Sequence, residues 1–317
     1  MTEFFGLIFH LVFYIVAGYL LFNCVYLLFF ALAGHFLKKR KVQLPVAYKN
    51  ICILIPAYRE NLVILESSTR AVRHEYKGKF TVVVVADGLN DDTVIKMKDA
   101  GVEVIAVNFD KSTKGKSLLY AMDHLPSDLY DAALILDIDN IMADNFLNEL
   151  NEAFDQGAKV IQAHRTAKNL DTSFAFLDAC NEEINNHIYR KGHFAVGLSP
   201  ALIGSGMAFN FNYLHGLLKD IGETVGEDKE LDFKIAKDKN KIIYLNDTFV
   251  YDEKIENAAV FTQQRTRWIA AQIEFFKKYF TEGFVQLFKY GNFEFFNKML
   301  QSMLVPRMLL LGLLFIL

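Results

Sequence analysis

The chain has 317 residues, a formal net charge of −3 and 52% hydrophobic residues. That length admits one large α/β domain with membrane segments, or two small domains. No basic stripe or arm stands out, which excludes a nucleic-acid partner, and the apolar excess sits at the two ends of the chain.

The first element is apolar. No charged residue occurs from Phe4 to Gly34, and a helix of that length spans roughly 45 Å, ample for a hydrocarbon core of about 30 Å. A cleaved signal peptide does not fit. The run is too long, has no basic leader, and is followed by Lys38-Lys39-Arg40-Lys41 instead of a small-residue cleavage site. With Glu3 before the span and the basic cluster after it, the amino terminus is expected outside and everything after Lys38 in the cytoplasm. Cys24, Cys52 and Cys180 form no CxxC pair and no even framework, so they read as reduced thiols, in keeping with a cytosolic catalytic part.

From about Tyr48 to Asn257, short apolar runs alternate with amphipathic stretches. Ile51–Ile55, Phe80–Ala86, Val102–Val107, Ala132–Leu136 and Lys159–Ala163 are expected as strands. Asn61–Glu75, Asp91–Ala100, Lys114–His124 and Asn145–Gln156 are expected as helices. Strands apolar on both faces and separated by helices predict an α/β fold with a mostly parallel sheet covered on both sides. Ligands of such sheets sit at the carboxyl ends of the strands, so the polar residues there are the candidates for chemistry.

The first strand runs into Pro56-Ala57-Tyr58-Arg59-Glu60, the second into Asp87-Gly88, and the fourth into Asp137-Ile138-Asp139. Two carboxylates leaving a buried strand are costly unless compensated. A divalent cation bridging phosphates compensates them naturally, since Mg²⁺ takes one or two carboxylates plus substrate phosphates. The alternative is a capped turn before the helix at Asn145, with Asp144 as the cap. Gly115-Lys116-Ser117 lacks the preceding spacing of a phosphate-binding P-loop. The histidines show no HExxH and no zinc spacing.

Gly226-Glu227-Asp228 opens a helix, where an acidic pair ordinarily serves capping and the helix dipole. Gln264, Arg267 and Trp268 stand at i, i+3 and i+4 of a helical stretch and share a face. A cation, an amide and the chain's only Trp suit a pyrophosphate beside a sugar ring, although a snorkelling Arg with an interfacial Trp gives the same pattern. Beyond them, Phe284, Leu287, Phe288, Phe293, Phe295 and Phe296 alternate with Lys289, Glu294 and Lys298, as in an interfacial amphipathic helix or a buried core helix. Met299 to Leu317, interrupted by Pro306 and Arg307, reads as the start of a second membrane helix.

In this order Asp87, Asp137-x-Asp139, Gly226-Glu227-Asp228 and Gln264-x-x-Arg267-Trp268 resemble the motifs of membrane-bound family 2 glycosyltransferases, the hyaluronan, chitin, cellulose and bacterial poly-N-acetylglucosamine synthases. The resemblance covers essentially the whole chain. It departs from the family at Gly226, where threonine is usual, and at Tyr120 and Ala121, where an asparagine is expected.

The resemblance implies a GT-A catalytic domain over residues 48–257, after an anchor at 1–41. The QxxRW and interfacial helices occupy 258–298, and a second span begins in 299–317. It places Asp87, Ala57, Tyr58, Glu60 and Lys116 at the nucleotide, Asp137 at the donor and Asp139 on Mg²⁺ or Mn²⁺. It makes Asp228 the general base, puts Gln264 and Arg267 on the diphosphate, and puts Gly204, Ser205 and Trp268 at the acceptor. The expected reaction is inverting transfer from a UDP-sugar, UDP-N-acetylglucosamine preferred, to a growing polysaccharide at a bacterial inner membrane. The alternatives are transfer of one sugar to a membrane lipid, or a catalytically silent nucleotide-sugar binder.

Overall fold

Why the middle of the chain folds as it does is plainest in its first two strands. A computed structural model describes residues 2–38, 40, 45–221 and 226–316. After helix α1 (Thr2–Gly34) come β1 (Ile51–Tyr58), α2 (Asn61–Val72), β2 (Phe80–Asp87), α3 (Asp91–Asp99), β3 (Glu103–Val107), α4 (Lys114–His124) and β4 (Ala132–Ile135). Strands β1 and β2 are almost wholly buried. Alternate side chains face opposite layers. Ile51, Ile53 and Ile55 pack with Val82, Val84, Met97 and Phe146, whereas Cys52 and Leu54 pack with Val83, Val85, Leu118 and Met122. One core thus lies on each face of the sheet, as the uninterrupted apolar runs predict.

The second half continues with β5 (Ile141–Met142), α5 (Phe146–Asp155), β6 (Val160–Ala167), α6 (Ser173–Asn185), a π-helical segment (Asn186–Gly192), α7 (His193–Ala195), β7 (Met207–Asn210), α8 (Phe211–Ile221), α9 (Glu227–Lys237), β8 (Ile242–Asp252), α10 (Ala258–Tyr290), α11 (Phe293–Met303) and α12 (Arg307–Ile316). Among the described residues the eight strands form one sheet in the order β3-β2-β1-β4-β7-β6-β8-β5. It is mostly parallel, with β7 antiparallel to both neighbours and β5 antiparallel to β8. Strand β6 runs four residues past the expected Ala163, with a register irregularity against β8 at Ala163/His164.

Among the described residues one helical stretch, Phe4–Gly34, is long and apolar enough to cross a membrane. Its first turns are exposed, while Leu20, Asn23, Tyr26 and Phe30 are buried against the rest of the chain. Tyr26 and Phe30 pack with Ile188 and Leu304. The approach to the π-helical segment is so close that a Cβ on Gly192 would lie 2.1 Å from the Phe30 carbonyl oxygen.

The carboxyl-terminal run differs from the single helix expected after Met299. Helix α10 stops at Gly291, which is left-handed with φ 61°, and Asn292 caps α11 by accepting from the Phe295 amide. The chain breaks again before α12, with a 60° bend. Pro306 lacks an N–H and disfavours helix at the residue before it. The freed Val305 amide donates to Asn23 Oδ1 of α1 at 2.8 Å. The aromatic run also divides. Ile269, Ile273, Phe280, Phe284 and Phe288 of α10 are exposed, whereas Phe295 and Met299 of α11 are buried against α9 and α10.

Candidate active site

The site residues are set at the carboxyl edge of the sheet by the strands that carry them. Tyr58 and Asp87 are register partners at the ends of β1 and β2. Ala57 is buried, while Tyr58 and Glu60 are exposed beside it. The Arg59 guanidinium lies over the Tyr58 ring, and the Arg59 amide donates to the Asp87 carbonyl. The Asp87 carboxylate is 2% exposed; Oδ1 accepts from the Phe109 amide at 3.3 Å, and Oδ2 has no partner among the described residues. A buried carboxylate oxygen left open is expensive unless a ligand donor reaches it.

Helix α4 starts above this point, with Thr113 capping it by accepting from the Lys116 amide. Lys116 projects over the Phe109 ring, 4.9 Å away, on the Asp87 side. Lys114, two residues earlier and so on another face, reaches across the site. Its ammonium bonds the Asp137 carboxylate and, at 2.7 Å, the Gly204 carbonyl oxygen. Glu227 and Asp228, opening α9, are close enough to act on Lys114 electrostatically. A Cβ on Gly204 would lie 3.7 Å from the Lys114 ammonium and 4.0 Å from Asp228 Oδ2. Asp137, Gly204, Ser205 and Asp228 are therefore gathered around Lys114.

The turn after β4 is organised by Asn140, which is 2% exposed. Its Oδ1 accepts from the Asp137 amide and the Ser205 hydroxyl; its Nδ2 donates to Asp252 and to Asp139. Asp139 Oδ2 accepts from the Glu253 amide at 2.9 Å. Burial, and then the neighbouring Asp252 charge, push the Asp139 carboxyl up to about 6. Burial also pushes Asp137 upward, but Lys114 and Arg165 outweigh it and hold that carboxyl below its usual range. The two acids of the DxD thus differ. Asp137 is already paired with cations, whereas burial and the Asp252 charge hold Asp139 back from ionising.

Below them runs a charged layer. Arg165 donates to Glu182 at 2.8 Å and to the Ile203 carbonyl at 3.2 Å, and lies 3.9 Å from Asp137 and 3.8 Å from Asp252. Lys254, 3% exposed, pairs with Glu182 and Asp252. Despite burial, Arg165 and Lys254 hold the Glu182 carboxyl down at about 2.

The Gln264–Trp268 stretch meets this layer through a residue the sequence pattern passed over. Arg265 pairs with Asp178 of α6 at 2.5 Å and lies over the rings of Phe261 and Trp268. Gln264 Oε1 is buried without a partner among the described residues, and Trp268 is 42% exposed. Arg267 is exposed, and among the described residues no ion pair joins it to a site carboxylate.

Lys114, Asn140, Arg165 and Asp252 are the residues that sequence reasoning missed. Arg165 and Asp252 obey the same rule as the others, being polar residues at the ends of β6 and β8. Among the described residues no group of three or more His, Cys, Asp or Glu side chains is arranged to hold a metal. Asp139 beside Asp252, with a carboxyl hard to ionise, nonetheless suits a divalent cation that takes its remaining oxygens from a diphosphate.

The mostly parallel α/β sheet, with acidic residues at its carboxyl edge, is GT-A-like. Residues 49–271 match the family model described as Glycosyltransferase like family 2, and the chain belongs to that family. Among solved structures it is similar to the mannosyltransferase PcManGT from Pyrobaculum calidifontis in complex with GDP-Man and Mn2+. The TM-score is 0.57 at 18% identity, over 81% of this chain and 72% of that one. It is also similar to S. aureus TarS 1–349 in complex with UDP-GlcNAc, at TM-score 0.45 and 18% identity, over 66% and 60% of the chains. A third is the Mycobacterium tuberculosis glucosyl-3-phosphoglycerate synthase with Mn2+, UDP and phosphoglyceric acid, at 0.41 and 17%, over 62% and 68%. The first likeness is one of fold, and the other two are too distant to bear on the chemistry. No curated protein matches the chain.

Proposed function

We propose that this glycosyltransferase is anchored in the membrane by α1 and transfers a sugar from a UDP-sugar, UDP-N-acetylglucosamine preferred, to a growing polysaccharide at the cytoplasmic face of a bacterial inner membrane. The observation that carries the reading is the gathering of Asp137, Gly204 and Asp228 around Lys114, with Asp139 poised beside Asp252.

In this reading the nucleotide lies against Ala57, Tyr58 and Glu60, the open oxygen of Asp87 meets a donor of the uracil or ribose, and Lys116 lies near. Lys114 and Asp137 line the donor sugar side. Asp139 would hold Mg²⁺ or Mn²⁺, which would neutralise charge building on the diphosphate. Gln264 and Arg267 serve the same leaving group, as fixed donors do where charge develops. Asp228 takes the proton of the acceptor hydroxyl; the acceptor oxygen bonds the anomeric carbon while the bond to UDP breaks, and UDP leaves with the electron pair. Gly204, Ser205 and Trp268 hold the acceptor.

A second reading, transfer of one sugar to a membrane lipid, is favoured by the surroundings of Trp268. Phe174 and Leu177 of α6 and Val260 of α10 are exposed on the two helices that Arg265 ties together. The test is product analysis with the full chain in membranes and labelled UDP-N-acetylglucosamine. Polymer too large for a short-oligosaccharide fraction supports the synthase. Label confined to an organic-extractable monoglycosylated lipid replaces it with the second reading, and absence of UDP release with this donor overturns both donor and function.

A further inference from the structure

Lys298 and Asp232 are 3% and 2% exposed, and their charges lie 2.9 Å apart. Asp232 stands one turn after Asp228 on α9, so its position fixes that of the proposed base. The Lys298 ammonium also donates to the Pro200 carbonyl at 2.7 Å and the Ser199 carbonyl at 3.4 Å. One turn earlier on α11, Glu294 accepts from the Ser199 amide at 2.6 Å. Glu294 and Lys298 together hold the segment that leads, through residues 201–203, to Gly204 and Ser205.

Other contacts to α9 come from the same helical hairpin. Lys278 and Tyr279 of α10 bond Glu230, and the Asn292 side chain donates to the Ala236 carbonyl at 2.8 Å. Those bonds hold α9 but do not touch the 199–205 segment. Lys298 alone among them reaches both α9 and the 199–205 segment, by its ion pair with Asp232 and its hydrogen bonds to Ser199 and Pro200.

We infer that Lys298 is a positioning residue for transfer: its ammonium fixes the helix bearing Asp228 to the segment bearing Gly204 and Ser205, and so sets the distance between base and acceptor. This rests on the reading of Asp228 as the base. A buried ion pair is weak evidence of a stability role, since such pairs are replaceable by apolar groups of similar volume. A misplacement of about 1 Å between reacting groups, by contrast, costs about 10²-fold in rate.

The test uses the full chain in membranes, with UDP-N-acetylglucosamine as donor probe. Lys298→Met leaves Asp232 charged and unpaired and is compared with the double variant Lys298→Met/Asp232→Leu, which removes both charges. The expected double variant melts near the wild type and binds UDP-N-acetylglucosamine with unchanged affinity in calorimetry, yet transfers label about 10²-fold more slowly at saturating donor. Lys298→Arg should recover part of the rate. An unchanged transfer rate overturns the inference. So does a variant that fails to fold or loses donor affinity in step with rate, because Lys298 is then only a strut. Asp228→Asn in the same assay separates the two failures. If it keeps turnover, the base assignment fails. If it is inactive while the double variant is unaffected, only the positioning role fails.

Discussion

The ammonium of Lys114 joins the Asp137 carboxylate to the Gly204 carbonyl oxygen, bridging α4, the turn after β4 and the loop before β7. A cation so placed holds Asp137 and the proposed acceptor loop in one geometry. In Lys114→Met, Asp137 keeps its burial but loses its main cation. The variant should be less stable than wild type by about 2 kcal/mol at pH 7. The sign with pH follows from the depressed Asp137 carboxyl. Its contribution to stability is complete above the unfolded-state value near 4 and is lost as pH falls through the lower folded value. Thermal melts of the two proteins should therefore converge in acid.

Asp139 has the opposite sign. Its carboxyl is raised to about 6 by burial first and Asp252 second. Folding is penalised as pH rises from about 4, where the unfolded group ionises, to about 6, where the folded one does. A divalent cation bound at Asp139, as proposed, would remove that penalty. Mn²⁺ should accordingly raise the melting temperature more at pH 7.5 than at pH 5, and Asp139→Asn should abolish the difference. Wild-type UDP release that survives excess EDTA would contradict the assignment.

Much of this arrangement was legible beforehand, for a physical reason. Helix α4 begins and ends where its pattern predicts, at Lys114 and His124, and β1 and β2 announce themselves by runs apolar on both faces. What stayed hidden depends on contacts distant in sequence. Lys114 and Lys116 lie on different faces of one helical turn, and only the approach of Asp137 and Gly204 selects Lys114. Strand β8, with Asn246, Asp247 and Thr248 in its middle, has no clean alternation, because its register against β6 shifts at Ala163/His164. Arg165 lies beyond the apolar run that ends at Ala163, and Asp252 closes a strand without a period-two pattern, so neither is marked as a strand-end residue by sequence alone. The division of the aromatic run into an exposed α10 face and a buried α11 depends on Gly291 reversing the chain.

Gly192 tests the seating of α1. A methyl group there meets the Phe30 backbone, which cannot move aside as a side-chain tip would. Gly192→Ala should destabilise the detergent-solubilised protein by about 1–3 kcal/mol, the usual range for overpacking. A melting temperature equal to that of wild type would mean that α1 does not rest on the π-helical segment.

Trp268 is 42% exposed and backed by the Arg265 guanidinium at 4.6 Å. Its free face suits a sugar ring of the acceptor. Losing such a stack costs about 1–3 kcal/mol by analogy with stacked bases. Trp268→Ala should slow incorporation of label from UDP-N-acetylglucosamine by about tenfold or more, while calorimetric affinity for that donor holds. Parallel loss of donor affinity would move Trp268 to the nucleotide side.

Whether Asp228 removes the acceptor proton is decided by single-turnover transfer with Asp228→Asn. Enzyme in membranes is mixed with labelled UDP-N-acetylglucosamine, and the rate is read beside donor affinity from calorimetry. If Asp228 is the base, transfer falls by at least about 10²-fold with donor affinity unchanged. A variant that transfers at the wild-type rate contradicts it, and one that loses donor binding while keeping turnover at saturation contradicts it and places Asp228 on the donor.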